Sequence, residues 1–321
     1  MGEGRHTDRQ EEDVLSAARI AAYRDPSLPP VDIRVYDRLT STNDEAKGQA
    51  AAGAPEGTTL IAEQQTGGKG RLGRSFYSPP ACGVYLSIIL RPKLSGDKRV
   101  LLTTAAAVAG AGAIEEACGR PIQIKWVNDL YLEGKKIAGI LVEAAADGPP
   151  GAPGNYAVVG IGVNVKKSAA GFPAEIADKA GVLCGDGESV SRDRLAAALI
   201  DRIWRTAKAL EEEERVAEEN RKREDFGGGR PDDERLQEKG QEGAAGSFTR
   251  ALIAEARQRS CVLGKEILVE GRPQLTMATA VGLDPHGFLI VEDGAGRRHV
   301  LSSGEISIRY AQGYNVDTRE T

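Results

Sequence analysis

The sequence predicts an α/β domain, in the broader sense α+β, followed by a small β-barrel. Three observations carry this. Apolar strand patterns are interleaved with helical ones from Val31 to about Arg259. One Ala-rich helix, about residues 99–118, is apolar almost all round, as a buried helix must be. From Val262 the chain turns to short strands separated by tight turns, which is how a small barrel reads.

Residues 1–30 are polar and end in Pro29-Pro30, as expected of a short helical extension plus a linker. Val31 to Tyr36 alternates apolar and polar, a strand signal. Thr42 and Glu45 have capping-box spacing, so a helix is expected from near Thr42 to about Ala52, stopped by Gly53 and Pro55. Thr58–Ala62 and Val84–Leu90 read as strands, the second a central one. Ile122–Trp126 alternates again, Asn128-Asp129 signals a turn, and Lys136–Glu143 reads as the next strand of a hairpin. Tyr156–Val165 is a further apolar strand. Ser191 caps a helix in which Leu195, Leu199 and Ile203 recur at helical spacing.

The segment from about Glu211 to Gly246 is charged, with Gly227-Gly228-Gly229 in its middle, and lacks the apolar residues that offset ordering entropy. A solvated helix fraying into a mobile insertion is expected there. The resulting domains are an N-terminal extension (1–30), a main domain (31–260), a barrel (261–311) and a tail (312–321).

Bulk properties exclude several classes. The net charge of −5 gives no overall basic field for nucleic acid. The four cysteines are far apart with no C-x-x-C pair, which argues against a disulfide framework and fits a reducing compartment. The three histidines are isolated, so a histidine-built metal centre is not expected. Residues 1–13 hold no apolar run of a signal peptide, and Val100–Ile114 is too short to span a bilayer. A cytoplasmic protein without membrane or DNA partners is expected.

The most informative stretch is Glu63-Gln64-Gln65-Thr66-Gly67-Gly68-Lys69-Gly70-Arg71-Leu72-Gly73-Arg74. It contains G-x-G-x-x-G, but Ser75-Phe76-Tyr77-Ser78-Pro79-Pro80 opens no helix, so a dinucleotide fold fails its context test. What remains is a flexible loop in which glycines expose backbone N–H groups and Lys69, Arg71 and Arg74 suit phosphate oxygens. A solvated basic loop is the plainer alternative. Lys125 sits among apolar and aromatic residues in Lys125-Trp126-Val127-Asn128-Asp129-Leu130, as a snorkelling strand end or a charge held for a ligand. In Gly160-Ile161-Gly162-Val163-Asn164 alternate glycines leave one strand face bare, either for a packed helix or as a pocket floor. Ser41-Thr42-Asn43 at a helix N-terminus either caps the helix or grips a polar ligand.

Taken in order, Ser41–Asn43, Glu63–Arg74, Lys125–Leu130, Lys136–Glu143 and Gly160–Asn164 resemble the motifs of the biotin–protein ligase family. The resemblance covers roughly residues 33–210 and continues into the barrel at Val262–Lys265 and Gly304–Ser307. Two departures stand out: Lys69 where the family has arginine, and Val127 where it has proline. The resemblance implies a mixed-sheet catalytic domain of the biotin/lipoate ligase type with an SH3-like barrel. It implies ATP and biotin as substrates, Mg²⁺ with the ATP but no nameable protein ligands for it, and the carrier domain of acetyl-CoA carboxylase or a related carboxylase as acceptor, with a homodimer as one option. It implies Lys125 and Arg71 as catalytic residues. Ser41, Thr42, Asn43, Gln65, Lys69, Gly70, Arg71 and Lys125 would face biotin. Lys69, Arg71, Arg74, Asn128 and Asn164 would face the nucleotide. The 30 polar residues look too short for the DNA-binding unit that some such ligases carry, so a monofunctional enzyme is expected. A lipoate or octanoate ligase or transferase, and a biotin-binding regulatory module, are the alternatives.

Overall fold

The computed structural model describes residues 14–146, 154–185, 187–226, 246–270, 277–302 and 305–308. The expected tail and the part of the charged insertion after Phe226 lie outside these.

The main domain is built on a seven-stranded sheet. Its strands are β1 (Ile33–Tyr36), β2 (Thr59–Ala62), β3 (Gly83–Leu90), β4 (Gln123–Lys125), β5 (Asp129–Leu132), β6 (Lys135–Ala146) and β7 (Asn155–Asn164). The order is β1-β2-β3-β7-β6-β5-β4. Only β1 and β2 run parallel; the remaining pairs are antiparallel, so the sheet is mixed, as expected. Strand β5 begins at Asp129, where local sequence signalled a turn: the turn is Trp126–Asn128, and Leu130 and Leu132 are buried.

Six helices are described: α1 (Ala17–Tyr23), α2 (Thr42–Ala51), α3 (Gly96–Arg99), α4 (Leu101–Cys118), α5 (Arg192–Phe226) and α6 (Ser247–Arg259). One sheet face carries Leu86, Ile88, Ile161, Val163, Ile140 and Leu130 and forms one core with α4 and α5. The Ala/Gly content of α4 has a direct reason. A side chain at Gly110 would start 2.9 Å from Ile161 Cδ1 and 3.3 Å from Leu130 Cδ1, so only glycine lets the helix lie this close to the sheet. Among the described residues α4 is the one helix long and apolar enough to cross a membrane, but it is mostly buried in the core.

The cap of α2 differs from the capping-box expectation. Ser41 is the N-cap, and its side chain accepts from Asp44 N–H. Helix α5 runs through Glu211 to Phe226, so the start of the charged segment is ordered helix. It is also anchored: Glu213 accepts from Phe248 N–H at 2.8 Å and from Thr249 N–H and its hydroxyl, capping α6, and Lys98 pairs with Glu213 and Glu214.

The C-terminal barrel sheet has strands β8 (Glu266–Glu270), β9 (Met277–Leu283), β10 (Leu289–Glu292), β11 (Arg298–Leu301) and β12 (Glu305–Ile308), ordered β11-β10-β9-β8-β12. Buried Trp126 donates its indole N–H to Gly287 O at 3.0 Å, fastening the barrel to the main sheet. Gly287 has φ +79°, and a side chain there would meet Thr104 of α4.

Candidate active site

The site lies on the sheet face opposite α4 and α5. Cross-strand pairing puts one row of residues on that face: Lys125 opposite Asp129, Asp129 opposite Gly139, Gly139 opposite Gly162, and Gly162 opposite Tyr85. The next row sets Leu141 opposite Gly160 and Gly160 opposite Ser87. Helix α2 and the loop between β2 and β3 cover this face.

The bare glycine strand is packed over at both positions, by a helix at one and by an aromatic ring at the other. Over Gly160 lies Asn43 of α2: a side chain on Gly160 would start 2.8 Å from Asn43 Cγ. Over Gly162 and Gly139 lies the half-buried ring of Phe76, whose Cε2 would be 3.2 Å from a side chain on Gly139. Phe76 meets Tyr85 edge to face at 6.5 Å. Phe76 was missed as a site residue because a lone aromatic after a basic loop carries no local signal.

At one end of the floor the groups are polar and uncharged. Gln65 Oε1 accepts from Thr42 N–H at 2.8 Å and lies 3.1 Å from Thr42 Oγ1, and Gln65 Nε2 donates to Ser78 Oγ at 2.9 Å. Ser87 Oγ lies 2.6 Å from Asn43 Oδ1 and 2.8 Å from Thr42 Oγ1. Ser87 has one proton and gives it to the amide oxygen, so the Thr42 hydroxyl serves either Gln65 or Ser87 and can exchange partners. Asn43 Nδ2 donates to Glu143 at 2.9 Å and to Leu141 O at 3.3 Å, so its amide holds α2 on the sheet. Ser41, Thr42 and Asn43 are all buried.

At the other end the groups are cationic. Arg71 Nη1 donates to Asn128 Oδ1 at 3.3 Å, and Asn128 Nδ2 donates to Ile140 O at 2.9 Å. Lys136 pairs with Asp129 at 2.7 Å, and its Nζ would stand 3.4 Å from a side chain on Gly139. Lys136 lies inside the Lys136–Glu143 motif but outside the expected site residues; the structure brings its ammonium beside Gly139, paired with Asp129. Lys125 stands one strand further out, its Nζ 5.8 Å from the centre of the Tyr131 ring.

The remaining expected residues are spread more widely. Exposed Lys69 pairs with Asp44 of α2 at 2.7 Å. Its two lysine neighbours, Lys69 and Lys47, hold the Asp44 carboxyl below its ordinary value although burial pushes the other way. Gly70 N–H donates to Arg74 O at 2.7 Å, pinching the loop, and Arg74 is exposed. A single turn of 3-10 helix at Arg71–Gly73 gives the loop regular structure, with Leu72 at φ 55°. Asn164 donates to Gly181 O at 3.1 Å and thereby holds the segment after β7. Among the described residues no three His, Cys, Asp or Glu side chains gather as metal ligands.

Comparisons with known proteins follow this geometry. Residues 35–164 match the biotin/lipoate A/B protein ligase family, and residues 262–309 match the biotin protein ligase C-terminal domain. The bifunctional ligase/repressor BirA of Bacillus subtilis is 41% identical over 158 residues, which is 49% of this chain and 48% of that protein. A biotin--[acetyl-CoA-carboxylase] ligase of Paracoccus denitrificans is 40% identical over 131 residues, 40% of this chain and 52% of its own. One of Mycobacterium tuberculosis is 28% identical over 285 residues, 85% of this chain and 87% of its own. The chain thus spans about half the length of several curated relatives it matches. Among solved structures, the biotin protein ligase of Aquifex aeolicus in complex with biotin and ATP superposes with a TM-score of 0.65 at 25% identity, covering 87% of this chain and 99% of that one. The chain therefore carries a biotin/lipoate A/B protein ligase domain over residues 35–164, followed by a biotin protein ligase C-terminal domain over residues 262–309.

Proposed function

We propose that the protein is an ATP-dependent biotin–protein ligase of the cytoplasm. It forms biotinyl-5′-AMP and transfers the biotinyl group to a lysine of a biotin carboxyl carrier domain, such as that of acetyl-CoA carboxylase. The observation that carries this reading is the polarity of the sheet face, uncharged polar groups at one end and cations at the other. Thr42 and Gln65 share exchangeable hydrogen bonds at one end, next to the buried Ser41 cap, while at the other Arg71 holds Asn128 and Lys136 holds Asp129. A ligand with a urea at one end and a carboxylate at the other suits that polarity, because a buried urea needs both donors and acceptors.

In the first half-reaction a carboxylate oxygen of biotin attacks the α-phosphorus of ATP; an O–P bond forms and the bond to pyrophosphate breaks. In the second the acceptor lysine amine, as the free base, attacks the carbonyl carbon; the amide forms, AMP leaves and the amine loses its extra proton. No protein nucleophile is needed. The physical obstacle is bringing two anions together: at ~4 Å they repel by roughly 1 kcal/mol in water and roughly 4 kcal/mol at an effective dielectric of 20. Arg71, with its fork, and Lys136 offset that repulsion, and Lys125 extends the cationic row outward. Lys69 joins them when it exchanges Asp44 for phosphate, since an exposed ion pair holds it by only ~0.2–1 kcal/mol. Mg²⁺ enters with ATP as part of the nucleotide substrate. Phe76 and the loop over the floor keep water from the anhydride.

The test is to incubate the protein with ATP, Mg²⁺, biotin and a carrier domain and to weigh the carrier, with lipoate replacing biotin in a parallel tube. ATP-dependent gain of one biotinyl group, absent with lipoate, is expected. Gain only with lipoate assigns the sister activity; no gain in either tube, with biotin still bound, assigns a binding module.

A further inference from the structure

We propose that Arg192 is a positioning residue that staples the two ends of the basic loop together. The loop leaves the sheet after Glu63, carries Gln65, Lys69, Arg71, Arg74 and Phe76, and returns at Gly83. Arg192 Nη1 donates to Glu63 Oε2 at 2.7 Å, Nη2 donates to Glu63 Oε1 at 3.3 Å, and Nη1 also reaches Gly83 O at 3.2 Å. One guanidinium therefore grips the last residue before the loop and the first strand residue after it.

The placement is electrostatically costly. Arg192 is the first residue of α5, where the helix dipole disfavours a cation. Its side chain is 3% exposed and that of Glu63 13% exposed, so both charges are taken out of water. A planar fork can serve two acceptors at once, which lysine cannot. The N-terminal segment is tied to the same place: Leu15 N–H donates to Glu63 Oε1 at 2.6 Å, and Ser16 N–H to Asp193, the residue after Arg192, at 2.9 Å. Tyr85 adds a second tie, donating its hydroxyl to Pro79 O at 2.9 Å on the returning limb. Glu63 opens the motif that resembles biotin ligases, yet it faces Arg192 and not the site face. Its work is to fix where Gln65, two residues on, meets Thr42.

The variants Arg192→Lys and Glu63→Gln keep the volume and remove the fork or the charge. Limited trypsinolysis with peptide mass readout compares cleavage after Lys69, Arg71 and Arg74 with cleavage after Arg297 and Arg298, which are exposed in the barrel. Loop cleavage is expected to rise about tenfold in each variant while barrel cleavage is unchanged, because proteolysis follows the population of the locally opened form. The effects of the two substitutions are expected to be non-additive in the double variant. In the ligase assay KM for biotin rises about tenfold and kcat changes less, since the groups are displaced rather than removed. Unchanged loop cleavage, or a parallel rise at both places, overturns the staple. The kinetic arm rests on the ligase reading and the proteolytic arm does not, so a parent protein without ligase activity but with the expected cleavage pattern sinks only the ligase reading.

Discussion

Replacing Gly162 with alanine tests whether the bare glycines set the position of Phe76 and its loop. The added methyl would lie 2.9 Å from Phe76 Cδ1 and Cζ, and closer still to Cε1. Non-bonded carbons rest at ~3.5–4.0 Å, so ring and methyl must separate by roughly 1 Å. Strand β7 cannot give way, because it is hydrogen-bonded between β3 and β6 along its length. Phe76 can, because it is half-buried and sits on a loop. The fold should therefore survive while the loop is pushed off the floor. A displacement of ~1 Å near reacting groups can cost on the order of 10²-fold in rate, or about 2.7 kcal/mol at ~1.36 kcal/mol per decade. The assay is the initial rate of ATP-dependent biotin transfer across a range of biotin concentrations, with thermal unfolding in parallel. A 10- to 100-fold fall in kcat/KM with little change in Tm is expected. On a Phe76→Leu background the same substitution should cost much less, since the ring atoms it strikes are gone. A normal kcat/KM in Gly162→Ala, or an equal loss on both backgrounds, would refute the steric reasoning.

Other predictions follow from the same geometry. Arg71→Ala, Lys125→Ala and Lys136→Ala keep the fold and each lower adenylate formation by on the order of 10²–10³, measured as biotin-dependent pyrophosphate release; near-normal release would remove that residue from the mechanism. Asp44→Asn frees Lys69 and lowers KM for ATP by less than about fivefold, the worth of an exposed pair; a rise in KM would contradict this. Glu213→Ala removes the cap of α6 and should destabilise by ~1–2 kcal/mol in urea unfolding. Burial pushes the Glu213 carboxyl up, but hydrogen bonds from Thr249 and Phe248 together with Lys98 hold it below the ordinary 4.5. A carboxylate depressed in this way stabilises the fold fully above its unfolded value and loses that contribution as pH falls from about 4.5 through the lower native value. Glu213→Gln should flatten that acid limb of the stability profile, and an unchanged limb would show the carboxylate to be irrelevant. Trp126→Phe leaves Gly287 O without its indole donor and should cost ~1–3 kcal/mol in the same assay; full stability would mean that the barrel is held by other contacts.

Much of the fold was legible because its signals are local. Period-two alternation marks Ile33–Tyr36, a continuous apolar run marks the central strand Val84–Leu90, and the Ala-rich stretch marks a buried helix. Strand β5 was lost to the turn signal of Asn128-Asp129, because four residues with two inward leucines are too short to outweigh it. Thr42 seemed to cap α2 from its spacing to Glu45. Tertiary contact decides otherwise: its N–H and hydroxyl face Gln65 on the neighbouring loop, and the cap falls to Ser41.

By itself, then, the sequence determined the class of the fold, most of its elements and the basic loop, since periodicity and motif spacing live within a few residues of chain. Only the tertiary structure decided which side chains share the site face. Strand pairing sets Gly139 beside Gly162 and brings Lys136 to the floor, while Lys125 is left one strand outward. Loop closure lays Phe76 on the glycines, and α5 delivers Arg192 to Glu63 across 129 positions of sequence. Contacts at such separations depend on register and packing, which no local pattern encodes.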